Sequence, residues 1–274
     1  MRPRVGHIGF INCLPLYYGL VKNGVLWDVE LTKDTARELS RLLLESRLDI
    51  SPVPSIEYSR HWRELILLPD LSISCDGPVT SIFLVSKVPI QELHGRKIAL
   101  TNTSRTSQVL LKIILEDKYH IVPTYFECPP NLNAMLLNAD AALLIGDAAL
   151  QIHYQAPAGL YTYDLGSEWK ELTGCKMVFA VWTARQGFAR ENPEIVRKVQ
   201  QAFVSSMSYS MAHIKQVAKA AARWEAFDTD FLHSYFTTLQ FGFDAVHQQG
   251  LREYYRRAQA LGHISEVPRL TFME

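Results

Sequence analysis

The sequence has no excess of either charge: 28 Lys and Arg stand against 28 Asp and Glu, for a formal net charge of zero. Proteins that grip a phosphate backbone need a basic surplus, so its lack argues against nucleic-acid binding. No run of about 18 apolar residues occurs, and no segment reads as a membrane span. Internal repeats and low-complexity linkers are also missing, and 48% hydrophobic with 20% charged residues is an ordinary globular composition. The familiar motifs of chemistry are lacking too. There is no GxxxxGK[ST], no GxSxG and no HxxxH, and Gly6-x-x-Gly9 lacks the GxGxxG spacing. Nine histidines (His7, His61, His94, His120, His153, His213, His233, His247, His263) are scattered, so neither a metal nor a cofactor is expected. The four cysteines, Cys13, Cys75, Cys128 and Cys175, form no CxxC and no dense framework. They read as reduced thiols. The apolar stretch after Arg4 is soon interrupted by Asn12, Cys13 and Pro15 and does not read as a secretory leader. A cytoplasmic location is expected.

What is present is an alternation of strands and helices. The length of 274 residues fits two domains, at about 150 residues each. Residues 5–11 read as a buried strand, and Pro15 opens a helix. Residues 29–31 are a second strand. Thr35 and Glu38 have capping-box spacing before a helix with Leu39, Leu42 and Leu43 on one face. Residues 48–55 form a strand ending in a proline-bounded loop. This order predicts an α/β layer fold.

Two further strand-like segments, residues 79–85 and 177–182, bracket a second α/β set. It contains a strand at 97–100, a helical stripe of Val109, Leu110, Ile113 and Ile114, and a strand at 141–145 that opens onto Gly146 and Asp147. The expected organisation is a discontinuous first lobe, residues 1–85 plus 180–274, with a second lobe inserted at 86–179. Two crossing strands would join the lobes. One late helix begins at Asn192-Pro193, with Ile195, Val196, Val199 and Phe203 inward. Another runs from about Asp244 to near Gly262, and both are expected to return to the first lobe. Open α/β sheets take ligands at strand C-terminal ends, so a central cleft is expected.

The candidate functional residues are polar groups at strand-to-helix junctions. Asn12 reads either as a turn or cap residue or as an amide aimed into the cleft. Ser81, preceded by Thr80, is either a structural strand serine or part of the cleft floor. Asn102-Thr103-Ser104-Arg105-Thr106-Ser107 is the densest polar run, and capping uses one or two of its six residues. A helix N-terminus with hydroxyls and one guanidinium suits a carboxylate, so the run reads as a ligand site. Gly146 permits close backbone approach, and Asp147 reads as a helix cap more than an acid. Ser55 belongs to a loop that would wall the cleft. Cys13, among Phe10, Ile11 and Leu14, reads as a packed thiol. Arg223, Trp224, Tyr254, Tyr255, Arg256 and Arg257 read as solvated or packing faces.

These residues carry a resemblance. Val5-Gly6-His7-Ile8-Gly9-Phe10-Ile11-Asn12-Cys13-Leu14-Pro15-Leu16-Tyr17-Tyr18-Gly19-Leu20 resembles the opening of chorismate dehydratases of the futalosine route to menaquinone. Asp76-Gly77-Pro78-Val79-Thr80-Ser81 and Leu144-Ile145-Gly146-Asp147-Ala148-Ala149-Leu150 look like the same family. The resemblance implies a fold similar to type II periplasmic solute-binding proteins. It also implies a hydro-lyase that removes water from chorismate to give 3-[(1-carboxyvinyl)oxy]benzoate.

By resemblance, Asn12 and Ser81 are the polar pair at the reacting ring. Ser55, Thr80, Thr103, Ser104, Arg105, Thr106, Gly146 and Asp147 are expected to bind this small anionic substrate. Aromatisation supplies driving force, so orientation and charge stabilisation are the protein's main tasks. The substrate's own enolpyruvyl carboxylate is the expected base. Two alternatives are a non-catalytic solute-binding protein and the sister enzyme that makes 1,4-dihydroxy-6-naphthoate. The latter uses a histidine just beyond the strand that corresponds to residues 143–145, where this chain has Gly146 and Asp147. The sequence leaves the oligomeric state open.

Overall fold

The computed structural model describes residues 2–22, 24 and 28–274. The first strand, β1 (Arg4–Ile8), runs into a 3-10 turn at Ile11–Cys13 and then α1 (Leu14–Lys22). Next come β2 (Glu30–Asp34), α2 (Ala36–Leu44), β3 (Ile50–Pro54), α3 (Ser55–His61) and β4 (Leu65–Cys75). Thr35 caps α2 as its spacing predicts: its Oγ1 accepts from the Glu38 N–H at 3.3 Å.

A second set follows: β5 (Ile82–Ser86), β6 (Lys97–Thr101), α4 (Arg105–Ile113), β7 (Thr124–Cys128), α5 (Leu132–Asn138), β8 (Ala141–Ile145), α6 (Gly146–Gln155), β9 (Tyr161–Asp164) and α7 (Leu165–Thr173). Then come β10 (Met177–Arg185), α8 (Gln186–Glu191), α9 (Pro193–Ala212), α10 (Ile214–Ala221), α11 (Thr229–Thr238) and α12 (Ala245–Ala260). The chain forms two compact units. One comprises residues through Ser74, Val178–Ala245 and Pro268–Glu274; the other comprises Cys75–Met177 and Val246–Val267.

Each unit is built on a five-stranded mixed sheet, ordered β2-β1-β3-β10-β4 in the first and β7-β6-β8-β5-β9 in the second. In both sheets three parallel strands are followed by one antiparallel strand, β10 against β3 and β5 against β8. Strands β3, β5 and β8 are buried at every position. Layers therefore cover both faces, as sheets with parallel strands require.

The strand expected at residues 5–11 ends at Ile8, and β4, β7 and β9 add to the expected strands; two further differences bear on the second unit. Strand β5 starts at Ile82, not at residue 79, because Thr80 takes φ +56°, a left-handed conformation that cannot continue a strand. The last helix packs in the second unit, outside the expected 86–179 range. Its face of His247, Leu251, Tyr254, Tyr255 and Ala258 is buried. Tyr254 meets Trp169 edge-on at 6.2 Å and donates to the Thr106 carbonyl at 3.1 Å, while Arg257 pairs with Asp117. Contacts with these distant residues, which hydrophobic periodicity does not reveal, assign the helix to its unit.

The first sheet is clamped at the edge where β1 and β3 begin. Asp49, buried just before β3, accepts from the Arg4 N–H at 2.9 Å, from the Arg4 guanidinium at 2.6 and 3.0 Å, and from Arg185 at 2.8 Å. Its carboxylate thereby ties β1, β3 and β10. Burial pushes the carboxyl up, but the bonds from Arg4 and Arg185 outweigh it and hold Asp49 below the usual carboxylate range.

Asp49→Ala is expected to destabilise the protein by about 2 kcal/mol in urea unfolding, less than the 3–5 typical of a fully buried pair, because the Arg4 side chain is 37% exposed. A depressed carboxyl contributes fully above its ordinary value, about pH 4. That contribution fades as pH falls through the lower folded value. The wild type should lose this increment in acid, and Asp49→Ala should not.

Candidate active site

In the second unit, topology gathers the predicted residues at one sheet edge. Strands β6 and β8 are parallel, so their C-terminal ends share that edge, and antiparallel β5 begins there. Ile82 lies opposite Ile145, and the Gly146 N–H donates to the Ser81 carbonyl at 2.8 Å. Gly146 takes φ +60°, which lets the chain turn directly from β8 into α6. The residue in the cap position, Ile145, gives no side-chain cap. The positive end of a ten-residue helix therefore stands beside Ser81. Asp147, half-buried, lies in the first turn of α6.

The polar run after β6 reaches the same edge. Ser104 caps α4: its Oγ accepts from the Ser107 N–H at 3.3 Å and lies 3.1 Å from the Ser107 Oγ. Arg105 is half-buried in the first turn, and Thr106 is buried, with its carbonyl held by Tyr254. Thr103 shares a 2.7 Å hydroxyl bond with Thr101, whose carbonyl accepts from the Gln108 amide at 2.8 Å.

Ser81 is buried, and its Oγ donates to the Val79 carbonyl at 3.4 Å. That is long beside the usual 2.5–3.0 Å or so for hydroxyl donors, so the bond holds the hydroxyl weakly. Thr80 donates to the same carbonyl at 2.8 Å.

In the first unit, Asn12 and Ser55 follow the C-terminal ends of the neighbouring parallel strands β1 and β3. The 3-10 turn that carries Asn12 leaves its Oδ1 buried and without a hydrogen-bond partner. An orphaned acceptor of this kind carries a desolvation penalty of roughly 1–3 kcal/mol unless a ligand donates to it. Ser55 is differently engaged: it is buried and donates to the Val178 carbonyl at 2.8 Å, linking α3 to β10. Cys13 is buried, as a packed thiol should be.

The sequence reading missed Asp164. This half-buried carboxylate accepts from Val79, Thr80, Gly166 and Ser167 N–H groups. Burial pushes its carboxyl above the ordinary range against the pull of those four donors. Its spacing to Ser167 signals a helix cap; its partners 84 and 85 residues away carry no local signal. Tyr254 was missed as a support for the same reason, its partner Thr106 lying 148 residues away, whereas Thr101 and Gln108 act on partners two and seven residues away. The histidine of α6, His153, is exposed and stacks on Phe83 with ring centroids 5.5 Å apart, in the helix's third turn and not at its start.

Solved structures show the class. A protein of Archaeoglobus fulgidus superposes with a TM-score of 0.79 over 96% of this chain and 98% of its own, at 19% identity. The periplasmic aliphatic sulphonate binding protein SsuA of Escherichia coli gives 0.69 over 98% and 90%, at 14% identity. At these identities the likeness is one of fold: an α/β protein of the periplasmic-binding-protein type. A family model described as menaquinone biosynthesis matches residues 3–260. The chorismate dehydratase of Thermus thermophilus is 32% identical over 96% of both chains. That of Campylobacter jejuni is 29% identical over 66% of this chain and 67% of its own. The chain belongs to this menaquinone-biosynthesis family.

Ser104 has two separable tasks. Ser104→Ala is expected to lower stability by about 1 kcal/mol in urea unfolding through loss of the cap. Ser104→Asp keeps a capping oxygen and should restore the midpoint. If the run holds an anion, Ser104→Asp should still weaken binding of a benzoate-type carboxylate at least tenfold by calorimetry.

Proposed function

We propose that this protein is a chorismate dehydratase, eliminating water from chorismate to give 3-[(1-carboxyvinyl)oxy]benzoate. The observation that carries the reading is the full-length likeness to the Thermus thermophilus enzyme, 32% identical over 96% of each chain. Elimination breaks the C3–H and C4–O bonds, and the six-membered ring becomes aromatic. The C3 proton is acidified through the conjugated ring carboxylate, so no strong protein base is required. We assign proton removal to the enolpyruvyl carboxylate of the substrate, with the departing C4 hydroxyl taking up a proton as water. We assign the catalytic polar roles to Asn12 in the first unit and Ser81 in the second. The buried, unpartnered Asn12 Oδ1 supports its part, since it lacks a donor that a substrate hydroxyl would supply. The weakly held Ser81 hydroxyl supports the other.

Carboxylate binding is assigned to Thr103, Ser104, Arg105, Thr106 and the start of α6 at Gly146 and Asp147, with Thr80 beside them. Helix N-termini and hydroxyls stabilise an anion without a basic surface. Ser55 is retained as a wall of the site, its hydrogen already engaged by Val178. Among the described residues no helix is long and apolar enough to cross a membrane. The four cysteines, in no disulfide among the described residues, support a cytoplasmic setting.

Purified protein incubated with chorismate should yield the benzoate product, one water lighter by mass spectrometry. Tight binding of chorismate without turnover would favour the solute-binding reading that the fold also permits. Asn12→Ala and Ser81→Ala should each lower kcat about a hundredfold or more, the scale for removing one positioned polar group. Full turnover in both variants would overturn the assignment of the pair.

A further inference from the structure

The segment that carries Ser81 is held in an unfavourable shape. Thr80 is β-branched yet takes φ +56°, a conformation that side chains branched at Cβ rarely adopt. Such backbone persists only where its surroundings over-determine it. What does so here is Asp164. Its Oδ2 accepts from the Thr80 N–H at 2.7 Å and the Val79 N–H at 3.1 Å. Its Oδ1 accepts from Val79 at 3.0 Å, Gly166 at 2.9 Å and Ser167 at 3.0 Å.

One carboxylate thus fastens the start of α7 to the loop before β5. Gly166 makes the approach possible, since a Cβ there would stand 2.3 Å from the Gly77 carbonyl oxygen. A cap alone needs only the Gly166 and Ser167 bonds, and the Val79 and Thr80 bonds exceed that need. From the other side, the Gly146 N–H holds the Ser81 carbonyl. The Ser81 backbone is therefore pinned between two fixed points.

We infer that Asp164 is a positioning residue, whose carboxylate latches the Val79–Thr80 backbone and so sets where the Ser81 hydroxyl is presented. It acts through the loop and touches no substrate. The inference rests on the dehydratase reading for its catalytic consequence, while the latch itself does not. An asparagine at 164 would keep one oxygen for the helix cap but turn an NH2 group toward N–H donors. It would release the loop selectively.

The test uses the full chain and the variants Asp164→Asn and Asp228→Asn. Asp228 caps α11 through the Phe231 N–H at 2.8 Å and serves as a matched cap control in the other unit. With chorismate as substrate, Asp164→Asn should lower kcat at least tenfold with KM changed less than threefold. Asp228→Asn should keep wild-type kcat at a similar unfolding midpoint. Amide hydrogen exchange should rise at least tenfold in Asp164→Asn, and not in the control, at Thr80, whose N–H bonds Oδ2, whereas the retained Oδ1 can still take the Val79 N–H.

Adding Thr80→Gly to Asp164→Asn should recover part of the lost kcat, because glycine takes the left-handed conformation without strain, while KM rises with loss of the Thr80 hydroxyl from the carboxylate site. This double variant also serves if the single one folds poorly. Unchanged kcat, or a loss matching only a lower folded fraction, would overturn the positioning role. Unchanged exchange at Thr80 would overturn the latch. A wild type with no turnover overturns the dehydratase reading and the catalytic half of the inference, leaving the exchange measurement to decide the latch.

Discussion

Strand β5 runs against β8 with Ile82 opposite Ile145, and the arrangement of the second unit's polar edge follows from that reversal. Were β5 parallel to β8, its first residues would lie at the opposite edge of the sheet from the C-terminal ends of β6 and β8. Ser81 would then be a strand length away from Gly146 and the start of α4. The antiparallel register instead carries the ladder one step beyond both strands, to the bond between the Gly146 N–H and the Ser81 carbonyl. A corresponding reversal in the first unit, β10 against β3 with Ala180 opposite Pro54, brings the Val178 carbonyl to the Ser55 hydroxyl.

The two ends of the molecule's strands use polar chemistry differently. Where β1 and β3 begin, full charges meet: Asp49 is enclosed by two guanidinium groups and serves stability. Where β6 and β8 end, hydroxyls, an amide and helix starts predominate, and Arg105 is the cation of the run. Dipoles fixed by the backbone need little reorganisation as charge shifts within a bound anion, which suits a reaction whose driving force resides in the substrate. A neutral chain can therefore serve an anionic ligand.

Features set by neighbours in sequence were readable in advance. Thr35 capping Glu38, strand residues 141–145 and the Pro193 helix start all depend on contacts within one turn or one strand. The gathering of Thr80, Ser81, Ser104 and Gly146 was partly readable, because strand-to-helix junctions converge on one edge of any such sheet. What remained hidden depends on partners far along the chain. Asp164 reads as an ordinary cap until Val79 and Thr80 are placed beside it. The Thr80 backbone looks like the middle of a strand because its β-branched side chain favours one. The last helix has an apolar stripe that would fit either unit in sequence terms, and contacts to distant residues, such as Tyr254 with Thr106 and Trp169 and Arg257 with Asp117, assign it to the second.

Threading of the chain has a consequence for its synthesis. The second unit is completed by residues 246–267 and the first by residues 268–274, the latter through the Leu67 N–H on Thr271 at 2.8 Å and the Met273 N–H on Leu67 at 2.8 Å. On a ribosome that releases the chain from its N-terminus, neither unit holds its full set of contacts until residues 246–274 have emerged. Each unit therefore waits for a late segment, and chains that lack it leave exposed the surfaces that segment covers.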